Sequence, residues 1–186
     1  MAEAKTFVPA KLICGLIYGR EKYFQDAEER LQELYGPVDT RSPAFDFDLT
    51  EYYEAQMGKG LKRLFLGFER LTDPASLSDI KWRTNELETE IRKKAGENFR
   101  VINIDPGILT ASALIMATAK NFAHRVPLQR GIYGHLELLF TKKSVRSLDW
   151  TYPDFRKDDY QIFFLEIRSR YLERLKREAA GRRGDA

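Results

Sequence analysis

A chain of 186 residues with 43% hydrophobic and 12% aromatic residues is long and apolar enough to bury one core of roughly 150 residues, which excludes general disorder. Charged residues make up 32%, which suits a soluble surface, and no apolar run approaches the roughly 18 residues needed to span a bilayer. The net charge of +3 is not spread over the chain: residues 168–186 hold seven basic and three acidic residues, and residues 1–167 sum to −1. A basic body would mark a nucleic-acid surface; here the excess sits in a C-terminal helix and tail, where a solvated helix face or weak attraction to RNA are the two readings.

Residues 11–18 form a short apolar run rich in β-formers, read as a central strand. Residues 21–35 follow with Phe24, Ala27, Leu31 and Leu34 at helical spacing, closed by Gly36-Pro37, a helix stop. Residues 45–49 alternate apolar and acidic, as a half-exposed strand does, and residues 61–71 read as another strand. Asp73-Pro74 then breaks the chain. Ser78 or Asp79 can cap a helix whose Ile80, Thr84, Leu87 and Ile91 face inward.

Residues 99–104 are expected to be a strand ending at an Asp105-Pro-Gly turn. Residues 109–120 fit either a helix, through Ala111, Leu114, Ile115 and Thr118, or a strand; the spacing favours the helix. Residues 125–128 and 132–141 flank a Gln129-Arg-Gly turn and predict a hairpin. Residues 158–177 carry a clear amphipathic stripe of Tyr160, Phe163, Phe164, Ile167, Tyr171 and Leu175. The order predicts a single α+β domain over residues 1–178, a ferredoxin-like split βαβ core extended by a hairpin and a closing helix. Residues 179–186 are expected to be a disordered basic tail. The opening residues lack the pattern of a signal peptide and Cys14 has no cysteine to pair with, which together lead to the expectation of a cytoplasmic protein.

Certain runs are distinctive: Asn103-Ile-Asp-Pro-Gly-Ile-Leu-Thr110, Ala117-Thr-Ala-Lys-Asn-Phe-Ala-His-Arg125 and Gly131-Ile-Tyr-Gly134. To these belong Phe45-Asp-Phe-Asp-Leu-Thr-Glu-Tyr-Tyr53, the segment from Trp82 to Glu88, and Trp150-Thr-Tyr-Pro-Asp-Phe155. In them the chain resembles, over nearly its whole length, an uncharacterised bacterial domain-of-unknown-function family, number 4416. That family brings no established activity with it. Some similar proteins are labelled GTP-binding, but this chain has no Gly-x-x-x-x-Gly-Lys-Ser/Thr loop to wrap phosphates.

Chemistry-bearing side chains concentrate between Asp105 and Glu137, among apolar residues. Polar groups there must be paired, because burying them alone costs several kcal/mol. A phosphate or nucleotide site is the first reading: Thr110 and Ser112 would sit at a helix N-terminus that attracts an anion, with Lys120 and a bidentate Arg125 as countercharge and Tyr133 beside them. The alternative is that Thr110 only caps the helix and Lys120 is solvated. His135 and Glu137, two apart on a strand, share a face; with His124 and Asp105 they make a His/His/carboxylate set acceptable to a divalent metal. Without metal, His124 is the candidate general acid/base, with Asp105 as its carboxylate. The acidic set Asp46, Asp48, Glu51 and Glu54 is either a salt-bridge cluster with Lys62 or Arg63, or a magnesium site.

The expectation is therefore a protein that binds a phosphorylated or nucleotide-like small molecule, enzyme or not, with a divalent metal allowed. The alternative is a non-catalytic RNA- or protein-binding module that uses an open sheet face and the basic C-terminal helix.

Overall fold

In the computed structural model, which describes residues 3–50 and 52–184, Ala10–Tyr18 forms strand β1 and every one of its residues is buried. A strand apolar on both faces belongs in the middle of a sheet covered on both sides. Its Leu12, Cys14, Leu16 and Tyr18 face one core and its Ile13 the other, as the two-residue period requires. Antiparallel partners flank it: β4 (Lys62–Thr72) and β5 (Ile102–Leu109).

Helix α1 (Glu21–Tyr35) buries Tyr23, Phe24, Ala27 and Leu31, and ends where Gly36, at φ 91°, turns its N–H back to the Gln32 carbonyl at 2.9 Å. Glycine takes that left-handed conformation without steric cost. The chain then adds β2 (Val38–Arg41), a short β3 (Phe45–Asp46) and one helical turn, α2 (Glu54–Met57). Helix α3 (Leu77–Lys94) is preceded by a 3-10 turn at Pro74–Ser76, capped by the Asp73 carboxylate accepting from Ala75 N–H at 2.9 Å. The cap therefore lies before Ser78 and Asp79, and Ser78 is buried inside the helix.

Strands β6 (Ala113–Thr118), β7 (Val126–Pro127), β8 (Tyr133–Phe140) and β9 (Val145–Ser147) complete one antiparallel sheet of order β2-β4-β1-β5-β6-β8-β7, with β3 added to β4 and β9 to β8. The four strands β2-β4-β1-β5, joined by α1 and α3 on one face, are the split βαβ arrangement of a ferredoxin-like core, and the β7–β8 hairpin extends it. This α+β fold is the one expected from the sequence.

Helix α4 (Asp158–Gly184) covers the opposite face. Phe65 on β4 packs edge-on or stacked within 6.0 Å of Phe155, Tyr160, Phe163 and Phe164. The open sheet face expected of an RNA-binding module is thus taken by α4, and its basic side chains are partly engaged: Arg168 donates to the Ala111 carbonyl and Arg174 to that of Glu69. The helix also runs to Gly184, through residues 179–184 that were expected to be disordered; 185 and 186 lie outside the described residues. No described helix is long and apolar enough to cross a membrane.

Two expectations fail together. Residues 109–120 are no helix: Thr110 closes a tight turn, its N–H bonding Ala113 O at 2.8 Å and its Oγ1 accepting from Ala113 N–H at 3.0 Å, and β6 follows. Most of β6 is buried, so the alternation of a half-exposed strand is missing and helical spacing is met by default. Nor does Asp105-Pro-Gly make a turn; it lies inside β5.

Candidate functional site

The site follows from a break in the sheet. β5 and β6 pair only over Gly107–Met116, Ile108–Ile115 and Leu109–Leu114. Beyond that point β6 stays with β8, and the N-terminal half of β5 stays with β1 alone. Two features of β5 enforce the parting. The Ile104 peptide points away from β1, and side chains of α3 take its groups: Glu88 Oε1 accepts its N–H at 2.7 Å and Lys81 Nζ donates to its carbonyl at 2.8 Å. By alternation Pro106 presents its peptide to the same side, and proline has no N–H to offer a neighbouring strand.

Between the separated strands lies a cleft of about 520 Å³, within the usual range for small-molecule sites. Phe47, Tyr52 and Tyr53 line it from the β3–β4 connection, Tyr152 and Phe155 from the segment before α4, and Met116 to Lys120 from the end of β6 and the two residues after it. Polar groups converge on one wall: Arg63, Lys81, Asn85, Asn103 and Asp105.

Asp105 is the centre of that wall. Lys81 Nζ lies 3.0 Å from Oδ1, Asn103 donates its amide to Oδ2 at 2.6 Å, and Arg63 stands 3.7 Å away. Burial alone would raise this carboxyl; Lys81 and Arg63 outweigh it and hold the pKa below its ordinary value, so Asp105 is ionised. Arg63 also pairs with the buried Asp154 and lies 4.9–5.4 Å from the rings of Phe47, Phe65 and Phe155. These groups offset one another. At the mouth, Lys120 Nζ sits 3.6 Å from the centre of the Tyr52 ring and has no acidic partner among the described residues.

Beside the mouth the structure brings together the other expected residues. His135 and Glu137 are 1% and 0% exposed on β8, with His135 Nε2 2.9 Å from Glu137 Oε2. His124 Nε2 approaches His135 Nδ1 at 3.2 Å, and Arg125 Nε donates to the same nitrogen at 3.2 Å. Because Arg125 can only donate, His135 Nδ1 is an acceptor and its proton belongs on Nε2, facing Glu137. His124 stacks on Trp150 and His135 on Tyr152, each with ring centres 5.0 Å apart. Glu137 Oε1 accepts the Tyr152 N–H at 2.7 Å.

This gathering is not the metal set expected of His124, His135, Glu137 and Asp105. His135 Nδ1 is taken by the Arg125 guanidinium, His135 Nε2 and Glu137 Oε2 face each other without an aligned hydrogen bond, and Asp105 is bound to Lys81 on another wall; no described group of three such side chains is placed to hold a metal ion. His124 is kept below its usual pKa, chiefly by burial and then by the neighbouring His135 ring and the Arg125 charge.

Of the expected ligand residues, Lys120 lines the cleft, and Arg125 bonds three lining residues without lining it. Thr110 and Ser112 belong to the β5–β6 turn instead, with no helix N-terminus there to attract an anion, and Tyr133 opens β8 opposite Thr118, away from the cleft lining. The acidic set is a salt-bridge arrangement, not a cation site: Asp46 pairs with Lys62 and Asp48 with Lys157, while Arg63 turns inward; Glu51 lies outside the described residues. The sequence reading missed Lys81 and Asn85. Their signal is a polar stripe, Lys81, Asn85, Glu88, at helical spacing beside the apolar one.

The fold and cleft define a ferredoxin-like α+β domain whose sheet is parted by a cleft of about 520 Å³. The chain belongs to the family described as domain of unknown function DUF4416, whose model matches residues 8–171. No curated protein and no solved structure matches it.

Proposed function

We propose that the protein binds a phosphorylated or nucleotide-like small molecule in the cleft between β5 and β6. The observation that carries this reading is the lining itself: among the described residues, Arg63, Lys81, Arg100 and Lys120 stand against Asp105 and Asp154, set among aromatic rings. A flat ring would lie between the walls formed by Tyr52, Tyr53 and Tyr152, with its polar edge on Asn85 and Asp105, because aromatic faces accept any heteroaromatic ring. An anionic group would turn to Lys120, which has no carboxylate partner among the described residues. We propose a reducing compartment such as the cytoplasm for it, which suits a chain whose one cysteine, Cys14, has no second cysteine to pair with.

Thermal unfolding with nucleoside monophosphates and phosphorylated metabolites tests it. A ligand at about 100 times its dissociation constant stabilises by about 2.7 kcal/mol, which for a chain of this size raises Tm by roughly 5–10 °C. Asn85→Leu, which puts an apolar branch into the cleft, should abolish the shift. A panel in which no compound stabilises the wild type, or stabilisation that Asn85→Leu leaves intact, refutes the site.

A further inference from the structure

Arg125 is held by three protein acceptors: Nε bonds His135, Nη1 the Lys120 carbonyl at 2.8 Å, and Nη2 the Tyr152 phenol oxygen at 2.6 Å. It does not line the cleft, whereas Lys120 and Tyr152 both do. An arginine so tied is a bracket, not a ligand-binding fork. Its effect on Tyr152 is specific. The phenol oxygen spends a lone pair on Arg125, so the Tyr152 proton must be given elsewhere, and no described acceptor takes it. The ring itself is fixed from behind by stacking on His135, and the backbone by Glu137. Burying the His135–Glu137 pair is costly; what the arrangement secures is an acceptor nitrogen aimed at Arg125.

We infer that Tyr152 and Lys120 form an anion subsite at the mouth of the cleft that takes the phosphate of the ligand, with Arg125 as its positioning residue and His135 and Glu137 as the support. This rests on the reading of the cleft as a site for a phosphorylated molecule. The phenol donates to one phosphate oxygen while the Lys120 ammonium, lying over the Tyr52 ring, supplies the charge; Arg125 fixes the phenol and the Lys120 backbone, which lowers the ordering cost of binding.

Inorganic phosphate is the probe, titrated into the full chain against chloride at matched ionic strength, with backbone amide chemical shifts as readout. The wild type should show saturable shifts at Lys120 and Tyr152, with Ser112 unmoved. Tyr152→Phe keeps the stacked ring and loses only the hydroxyl; Arg125→Met releases both lining residues. Each should weaken phosphate about tenfold or more, the worth of a hydrogen bond to a charged group, while Tyr152→Phe, which also gives up the exposed bond from Arg125, lowers Tm by no more than a few degrees. Absence of saturable shifts at Lys120 and Tyr152, or a Tyr152→Phe affinity within twofold of wild type, overturns the subsite. If nucleotides stabilise the wild type yet Tyr152→Phe binds phosphate normally, the subsite falls and the cleft reading stands. If phosphate binds here and no nucleotide or metabolite does, the subsite stands alone.

Discussion

Gly107 holds the last paired position before β5 and β6 separate, opposite Met116 on one side and Ile13 on the other. A Cβ built there would lie 2.9 Å from the Ile115 carbonyl oxygen, besides overlapping the Met116 sulfur. The thioether is the end of a flexible side chain and can swing away; the carbonyl belongs to a strand fixed by its own ladder and cannot. Gly107→Ala should therefore force the strands apart locally. Overpacking of this kind costs about 1–3 kcal/mol, against which the stiffer unfolded chain returns about 0.4–1 kcal/mol. A net loss of about 1–2 kcal/mol corresponds to a Tm lower by roughly 2–8 °C for a domain of this size. Calorimetry or chemical denaturation reads it directly. The double substitution Gly107→Ala with Met116→Ala separates the two contacts: if the carbonyl is the obstacle, removing the sulfur does not restore the loss attributed to Gly107→Ala. An unchanged or higher Tm for Gly107→Ala would show that the strands are not held at this distance and that the geometry assigned to the cleft is wrong.

Lys81→Met should be among the most damaging single changes in α3. It strips the Ile104 carbonyl of its donor and leaves the Asp105 carboxylate to Asn103 and a more distant Arg63; breaking one side of a buried pair costs about 3–5 kcal/mol, read by urea denaturation, and a loss below about 1 kcal/mol would contradict the assigned network. The His124 imidazole should titrate below its usual 6.5, because burial, the neighbouring His135 ring and the Arg125 charge all oppose its protonation. The unfolded chain then binds the proton first, so this residue adds nothing above about pH 6.5 and subtracts stability as pH falls through 6.5 toward the lowered folded value. Proton NMR of the ring follows it: Arg125→Met should move the midpoint upward, and a midpoint at or above 6.5 in the wild type would refute the cluster geometry.

How far the fold could be read from the sequence depended on burial. α1 and α4 carry one apolar face and end at chemical punctuation, Gly36-Pro37 in the first case, so their periodicity reports their structure. β6 was misread because a strand covered on both faces has no polar side to mark its period, and a run such as Ala-Leu-Ile-Met-Ala satisfies either template. The Asp105-Pro-Gly run looked like a turn because Pro and Gly usually punctuate; here Pro106 faces a gap where no donor is needed and Gly107 a strand that comes too close for a side chain. The same pair therefore hid the element and shaped the site. Lys120, Asp105, His124 and His135 were legible as polar residues in apolar surroundings. Lys81 and Asn85 were not, since only the fold brings α3 to the same opening.

The side chains that occupy the Ile104 peptide have a consequence for folding as well as for binding. A sheet that divides along its length acquires an internal border, with exposed donors and acceptors to which a stray strand could attach. In this molecule that border is sealed by a lysine and a glutamate from α3 and by a proline without a donor. The two strands are consequently barred from zipping shut, so the opening exists before anything enters it, and the same seal denies foreign chains a template at the heart of the molecule.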